Sequence, residues 1–467
     1  MAHAAGGDNP YTRGIAKFIA TLRFEDIPEE VRARIKLLIL DSLGCGLYGA
    51  KLQWSEILMN TLATVDTTKG ASAWGTKLKF SSPHAALVNG TLVQGFELDD
   101  VHRQGVLHVG AVTLPALIAI AETRPGMSGR DFLRAAVAGY EIGPRVGMCM
   151  GPEHIGQGWH SGATVGVYSA AAGAAAGLGL DEQRAVHALG IAGTQSAGLM
   201  AAQYGAMVKR MHAGRSSQSG LYGALLAEAG FTGIVDVFES DYGGFCTTFS
   251  RSQDGFDLTQ LTAGLGERFE TMRIALKFYS CVGSNHTTLD AIRLMQERHP
   301  FGPDDVGKIV VHGSKVTMDH VGWEYRPEGM TSAQLNLGFC VATLLLEGDV
   351  FVDQFDSDDV VHDKARIALS KKVECVHDAE ITALGGTARH MVRVEIFLND
   401  GTRLEETVES GRGSEHRFAS DADVVDKFEK LARHALPEKQ IAELRDAVLG
   451  LEDLKDASEI ARLLARR

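Results

Sequence analysis

Three stretches of this chain carry no charged side chain and consist mainly of small residues: Ala111–Ala121, Ala163–Leu180 and Ser216–Ala227. Segments this poor in charge gain nothing from facing water, and alanine and glycine let neighbouring backbones come close. They read as buried, tightly packed helices, and they set the fold class before anything else does. Each follows the same short signature of a histidine, one residue and a glycine: His108 with Gly110, His160 with Gly162, and His212 with Gly214. A polar residue and a glycine ahead of an apolar run predict a helix start. Such a start offers unpaired N–H groups and the positive end of the helix dipole, and a histidine beside it can bind a carboxylate or move a proton. Three such starts around one cavity would suit a polyanionic substrate.

The signature alone is weak. With 17 His and 53 Gly, about two such triplets are expected by chance, and five occur; those at His154 and His320 open no comparable run. The shared context of the other three is what carries the reading. Around His160 the run Ile155–Leu180 has no Asp, Glu, Lys or Arg and reads as one buried helix. It lacks the Leu, Ile and Phe bulk of a membrane span.

A chain of 467 residues is too long for one core, so two or more domains are expected. The formal net charge of −13 argues against nucleic acid and anionic membrane as partners, since both need a basic surface. Residues Met1–Thr12 lack a basic stretch followed by an apolar one, so no secretory leader is expected and a cytoplasmic location is. The six cysteines form no Cys-X-X-Cys pair, and neither a disulfide scaffold nor a closed zinc or iron–sulfur site is expected.

From Tyr11 to about Gly266 the pattern is helical. Ile27–Asp41 predicts an amphipathic helix with Pro28, Glu29 and Glu30 in its first turn. Ser82 as N-cap and Pro83 at the first helical position predict a helix running to about Asp100. The character changes near Phe269. Lys308–Val316 and Met391–Leu398 read as strands, Asn399–Gly401 as a hairpin turn, Thr402–Val408 as the returning strand, and Asn285–Glu297 as a helix among them. From Asp421 the chain is helical again, too short for a domain of its own, and is expected to pack back on the first part. The expected fold is therefore mainly α with a smaller α+β domain: residues 1–268 and 413–467 form a large helical domain, and residues 269–412 form an inserted α+β lid. Two domains around a cleft make a natural ligand site.

Chemistry concentrates in three places. Glu97, Asp99 and Asp100 close the helix that opens at Ser82, where acids oppose the dipole, and Glu97 and Asp100 are spaced to share a helix face. His102 and His108 follow, so carboxylates and imidazoles can divide general acid and base roles. Lys209–Arg215 interrupts an uncharged region with Lys209, Arg210, His212 and Arg215, residues suited to a substrate carboxylate. Lys277, Tyr279, Cys281 and His286 stand at the start of the α+β part. No phosphate-cradling loop, serine-hydrolase elbow or zincin motif is present.

Taken in order, Ser82–Gly90, Phe96–Asp100, His108–Gly110, Gly158–Ser161, Lys209–Gly214 and Lys277–His286 resemble the MmgE/PrpD family over nearly the whole chain. The resemblance implies a helical domain built from both termini, an α+β lid, a homodimer, and no metal or organic cofactor. It implies a cofactor-independent lyase acting on a small di- or tricarboxylic acid. Dehydration of a 2-methylcitrate-like substrate is the leading expectation. Decarboxylation of a cis-aconitate-like acid and epimerisation of an amino-dicarboxylate such as iminodisuccinate are the same-site alternatives, and a non-enzymatic carboxylate binder is the alternative from another class. Carried over residue by residue, the resemblance gives catalytic positions Glu97, Asp100, His108, His160, Lys209 and His286. The residues' own chemistry adds His102, His212, Arg215, Lys277 and Tyr279 as substrate-binding candidates.

Overall fold

The computed structural model describes residues 9–466, apart from 152, 205, 253, 356, 386 and 387; for 153, 204 and 358 it describes the backbone only. Residues 1–8, on which the expectation about a leader mostly rests, lie outside this range. The chain forms two compact units: Met1–Ala275 with Ser420–Arg467, and Leu276–Ala419. Each junction falls seven residues later than the sequence pattern placed it. The first is displaced because Ile274–Ala275 pairs antiparallel with Val101–His102 and so stays with the helical unit.

The helical unit is built from long helices with conventional starts. Glu29–Gly49 follows Pro28 at its N-cap, with Glu29 and Glu30 in the first turn where they complement the dipole. Gly129–Met150 is capped by Ser128, whose side chain accepts from the Asp131 N–H, and Glu182–Gly193 by Asp181 in the same way. His108 is the N-cap residue of Val109–Thr123, a helix buried from Val109 to Ala121. The C-terminal helices Asp421–Ala432 and Glu438–Leu449 pack on Glu29–Gly49, and Ser458–Leu464 packs on Val109–Thr123. Two two-stranded ribbons, Ala71–Ser72 with Lys79–Phe80 and Val101–His102 with Ile274–Ala275, interrupt the helical pattern.

Three details depart from the sequence reading. First, Ser81 rather than Ser82 is the N-cap residue, and the helix ends at Val93. A single 3-10 turn, Gln94–Phe96, follows, and then Glu97 in the left-handed region at φ 59°. Glu97 and Asp100 therefore share no helix face, and the acids oppose no helix dipole. Second, Ile155–Leu180 is not one helix. It breaks around Gly158 at φ 95° and resumes as Ser161–Thr164 and Gly166–Gly177. Third, the helix carrying His212 starts at Val208 and runs to Glu228, so His212 and Gly214 lie inside it. Gly214 serves close packing rather than a helix start: a Cβ there would lie 2.0 Å from the Leu87 carbonyl oxygen.

The second unit holds a four-stranded sheet in the order Val373–His377, Val306–Gly313, Val392–Leu398, Arg403–Val408. The first pair is parallel and the others antiparallel. Val392, Val394, Ile396 and Leu398 alternate inward as the sequence predicts. Gly401 at φ 94° closes the hairpin, with the Leu398 N–H donating to the Thr402 carbonyl. The strand expected over Lys308–Val316 ends at Gly313, because Ser314 caps a helix, Lys315–Val321. Helix Gly283–Arg298 packs on the hairpin strands.

Gly214→Ala should destabilise the protein by about 3 kcal/mol, since neither the Leu87 carbonyl nor the Thr91 backbone can yield without shifting a helix. Gly283→Ala, where a Cβ meets nothing within 4 Å, should stay within about 0.5 kcal/mol. Urea denaturation of both variants checks the contrast.

Candidate active site

The site in the helical unit grows from the irregular segment Glu97–Leu107 and the helices it meets. Glu97, turned out by its left-handed backbone, is 2.7 Å from Lys209 Nζ and 2.5 Å from Arg210 Nη1. A non-glycine residue at positive φ is strained and persists only where its surroundings hold it. Here the holding partners are two cations on the first turn of Val208–Glu228. Arg210 also lies over the Trp54 ring at 5.7 Å.

Asp99 and Asp100 point to different partners. The Asp99 carboxylate is 3.0 Å from His108 Nδ1, and the same nitrogen is 2.8 Å from the Asp100 backbone carbonyl. The Asp100 carbonyl can only accept, so Nδ1 carries a hydrogen and donates it, and Nε2 is the nitrogen left to take or give a proton. The Asp100 side chain is fully buried, and both its oxygens accept from the Gly110 N–H, at 3.0 and 3.1 Å. Burial, then neighbouring Asp99, push its carboxyl up to about 7, against the pull of the Gly110 N–H. The helix start after His108, expected to hold a substrate carboxylate, thus holds the protein's own Asp100. Asp100, expected among the catalytic residues, sits behind His108 as part of its support.

His160 is nine-tenths buried, and burial first, then the neighbouring His212, His108 and Lys209, push it down to about 3. His212 is also lowered, by burial and then Lys209. The two rings lie with centroids 4.8 Å apart. Their Nδ1 atoms, and Oε1 of nearby Gln94, are buried without a hydrogen-bond partner among the described residues. Both His160 and Gln94 border Gly162, where a Cβ would lie 2.9 Å from the His160 ring and 3.7 Å from Gln94 Nε2. Buried polar atoms without partners carry a desolvation penalty of about 1–3 kcal/mol each, which a polar ligand would relieve. Glu97, His108, His160, Lys209 and His212 therefore form one cluster.

Two candidates fall outside it. His102 is buried with both ring nitrogens engaged: Nδ1 accepts from the Gly105 N–H at 2.9 Å, and Nε2 faces Glu270 at 3.1 Å. It fastens the loop rather than offering a nitrogen to a substrate. Arg215 is exposed on Val208–Glu228 and donates to the Gln218 side chain. Because the helix starts at Val208, the arginine does not stand at a helix mouth.

Lys277, Tyr279 and His286 belong to the second unit. His286 lies in the first turn of Gly283–Arg298, with Nε2 3.1 Å from the Cys281 carbonyl and its ring edge-on to Tyr279 at 5.2 Å. The Tyr279 hydroxyl donates to Asp290 at 2.7 Å, and burial, then Asp290, push the phenol well above its ordinary value. Cys281 is buried, and burial raises its thiol, which argues against a nucleophile. Among the described residues no group of three or more His, Cys, Asp or Glu is placed to hold a metal, and no helix is long and apolar enough to cross a membrane.

Comparison with known proteins covers most of the chain. The MmgE/PrpD N-terminal domain matches residues 13–256 and the MmgE/PrpD C-terminal domain matches residues 279–453. The chain belongs to the MmgE/PrpD family. It is similar to a cis-aconitate decarboxylase-like protein, oryM, of Aspergillus oryzae, with 36% identity covering 97% of each chain. The cis-aconitate decarboxylase of Aspergillus terreus is 34% identical over 97% of this chain and 95% of its own. The mitochondrial 2-methylcitrate dehydratase of Yarrowia lipolytica is 22% identical over 88% and 81%. The protein is thus an enzyme of the MmgE/PrpD type, in a family of decarboxylases and dehydratases.

The reading of the residues missed Asp99 as the partner of His108, Arg210 as the second cation on Glu97, and Gln94. Adjacency pointed to Asp99 and Arg210. Nothing in the sequence distinguishes Gln94 from any other glutamine near a helix end.

The buried groups of this MmgE/PrpD enzyme predict a pH signature. His160 titrates at about 3 when folded and near 6.5 when unfolded, so the unfolded chain takes up the extra proton. Its contribution to stability is present above 6.5 and is lost as pH falls towards 3, at up to about 1.4 kcal/mol per pH unit. Asp100, raised to about 7, acts in the opposite sense: its contribution is present below its unfolded value of about 4 and is lost as pH rises to 7. His160→Gln should flatten the acid decline, and Asp100→Asn should remove the loss between pH 4 and 7. Urea denaturation at a series of pH values measures both slopes.

Proposed function

We propose that this enzyme decarboxylates a cis-aconitate-like unsaturated tricarboxylate. The observation that carries the reading is the gradient of similarity: 36% and 34% identity to the decarboxylase-like and decarboxylase proteins, against 22% to the dehydratase. Dehydration, the leading expectation from the sequence, is the less supported reaction.

The cluster suits the chemistry. Loss of CO2 breaks a C–C bond, and its electron pair becomes a new double bond. The pair of the former double bond shifts and takes a proton at its far carbon. The enzyme must hold carboxylates, stabilise the developing charge and deliver one proton. His108, entering the step as the imidazolium, is the proton donor in this proposal: Nδ1–H donates to the Asp100 carbonyl with the Asp99 carboxylate 3.0 Å away, and Nε2–H gives its proton to carbon, leaving a neutral ring that regains the proton from solvent. Lys209 meets a substrate carboxylate while Glu97 limits the local positive charge. His160 and His212, neutral in their buried setting, donate N–H groups rather than charge, and Gln94 completes the lining.

Proton NMR in D2O with cis-aconitate, citrate and 2-methylcitrate tests the reading. The expected result is CO2 release from cis-aconitate with a new terminal =CH2 pair and one deuterium at the protonated carbon. An alkene formed from a hydroxy acid, without CO2, would replace the proposal with dehydration. Exchange of a C–H for deuterium with no other change would point to epimerase chemistry. His108→Gln should lower kcat by about 10²–10⁴-fold, and Lys209→Gln should lower kcat/KM while the melting temperature holds.

A further inference from the structure

Behind the acid segment lies a charge network that the proposed chemistry does not use. Lys427, on Asp421–Ala432, is 2% exposed. Its Nζ is 2.6 Å from Oδ1 of Asp41 and donates to the Leu98 carbonyl at 2.7 Å. Asp41 is fully buried in the middle of Glu29–Gly49. The lysine gains entry because the two helices meet closely: a Cβ at Gly44 would come within 3.2 Å of the Phe428 Cα. Leu98 is the residue between strained Glu97 and Asp99, so the ammonium grips the chain where it turns from one to the other.

A buried lysine is costly, and removing one member of such a pair leaves an uncompensated charge. A purely structural link between two helices is better served by apolar residues of similar volume, so the pair calls for another role. The groups around Asp100 show which. Facing it are Arg34, Asp41 and Cys45 from Glu29–Gly49, Tyr140 from Gly129–Met150, and Asp99 and His108 from its own segment, with Lys427 beyond Asp41 and Asp99. Three carboxyl groups thus share two cations, Arg34 and Lys427.

We propose that Lys427, paired with Asp41, is a positioning residue for this active site: it fixes the Leu98 carbonyl, and with it the two carboxyl residues that orient His108, and it sets the charge balance around Asp100. The C-terminal segment thereby becomes part of the catalytic apparatus without touching substrate. The kinetic part of this inference rests on the proposed decarboxylation; the electrostatic part does not.

The test uses Lys427→Met, Asp41→Asn and the doubly neutral variant, each shown to be folded by circular dichroism. The readouts are the Asp100 carboxyl titration, followed by NMR of protein labelled with ¹³C at aspartate and assigned with Asp100→Asn, and the pH profile of kcat. In Lys427→Met the Asp100 midpoint should rise by about one pH unit, and in Asp41→Asn it should fall by about as much. The double variant should lie between them. Lys427→Met should lower kcat at least about tenfold with KM little changed, as expected for lost positioning. If Lys427→Met does not fold, the downward shift in Asp41→Asn still carries the proposal. Midpoints unmoved within about 0.3 pH unit in the folded variants, or failure of all three to fold, would overturn it and leave the pair as a structural link. If the wild-type protein decarboxylates nothing while the Asp100 midpoints shift as stated, the proposed reaction fails and the positioning network stands.

Discussion

The site depends on one backbone crossing. A Cβ at Gly90 would lie 2.6 Å from the Gly214 Cα, and one at Gly214 would lie 2.0 Å from the Leu87 carbonyl, so the helices Ser82–Val93 and Val208–Glu228 touch at glycines. That contact sets Glu97, just past the end of the first helix, against Lys209 and Arg210 at the start of the second. Similar approaches recur at Gly110, whose Cβ would strike Ser42 Oγ at 2.0 Å, and at Gly220, whose Cβ would strike Ala170. Interiors packed this tightly have no room to absorb an added methyl group. The small-residue runs are therefore what bring distant charged residues within bonding distance.

Four successive residues show how the local backbone assigns roles to like side chains. Glu97, in the left-handed region, faces the cations. Leu98 offers its carbonyl to buried Lys427. Asp99 turns to the His108 ring, and Asp100 accepts from the Gly110 N–H in the first turn of the next helix. A regular helix would have placed these side chains 100° apart around a cylinder. The irregular segment sends them to separate partners, and the strain at Glu97 is held by two ion pairs. Burying three carboxyl groups behind one histidine would be prohibitive without Lys427 and Arg34.

Around the two histidines the balance differs. His160 and His212 are kept neutral by burial, and the lysine is already shared with Glu97. The cluster therefore offers polar N–H groups and two cations, Lys209 and Arg210, both shared with Glu97, rather than free positive charges. For the tricarboxylate proposed above, in a protein of net charge −13, binding would have to come from such local, fixed dipoles.

The sequence by itself determined a great deal. Uncharged Ala/Gly runs fixed a mainly helical core, period-two alternation fixed the strand Val392–Leu398, and the Asn399–Gly401 turn fixed its hairpin, because each signal is local to the backbone that obeys it. The ordered motifs also identified the family and singled out Glu97, His108, His160 and Lys209. What only the tertiary structure decided was how those residues are used. His102 was spent on Glu270 and Gly105, Asp100 on the Gly110 N–H, and Arg215 was left on the surface. His212 proved to lie within a helix rather than at its start, since Gly214 answers to the Leu87 carbonyl on another helix. Lys427 stands at helical spacing among Val424, Phe428 and Leu431, a pattern that reads as a core face, yet nothing local says which buried acid, 386 residues earlier in the chain, it will meet. Hydrogen-bond partners and burial are relations between segments, and a sequence read locally does not contain them.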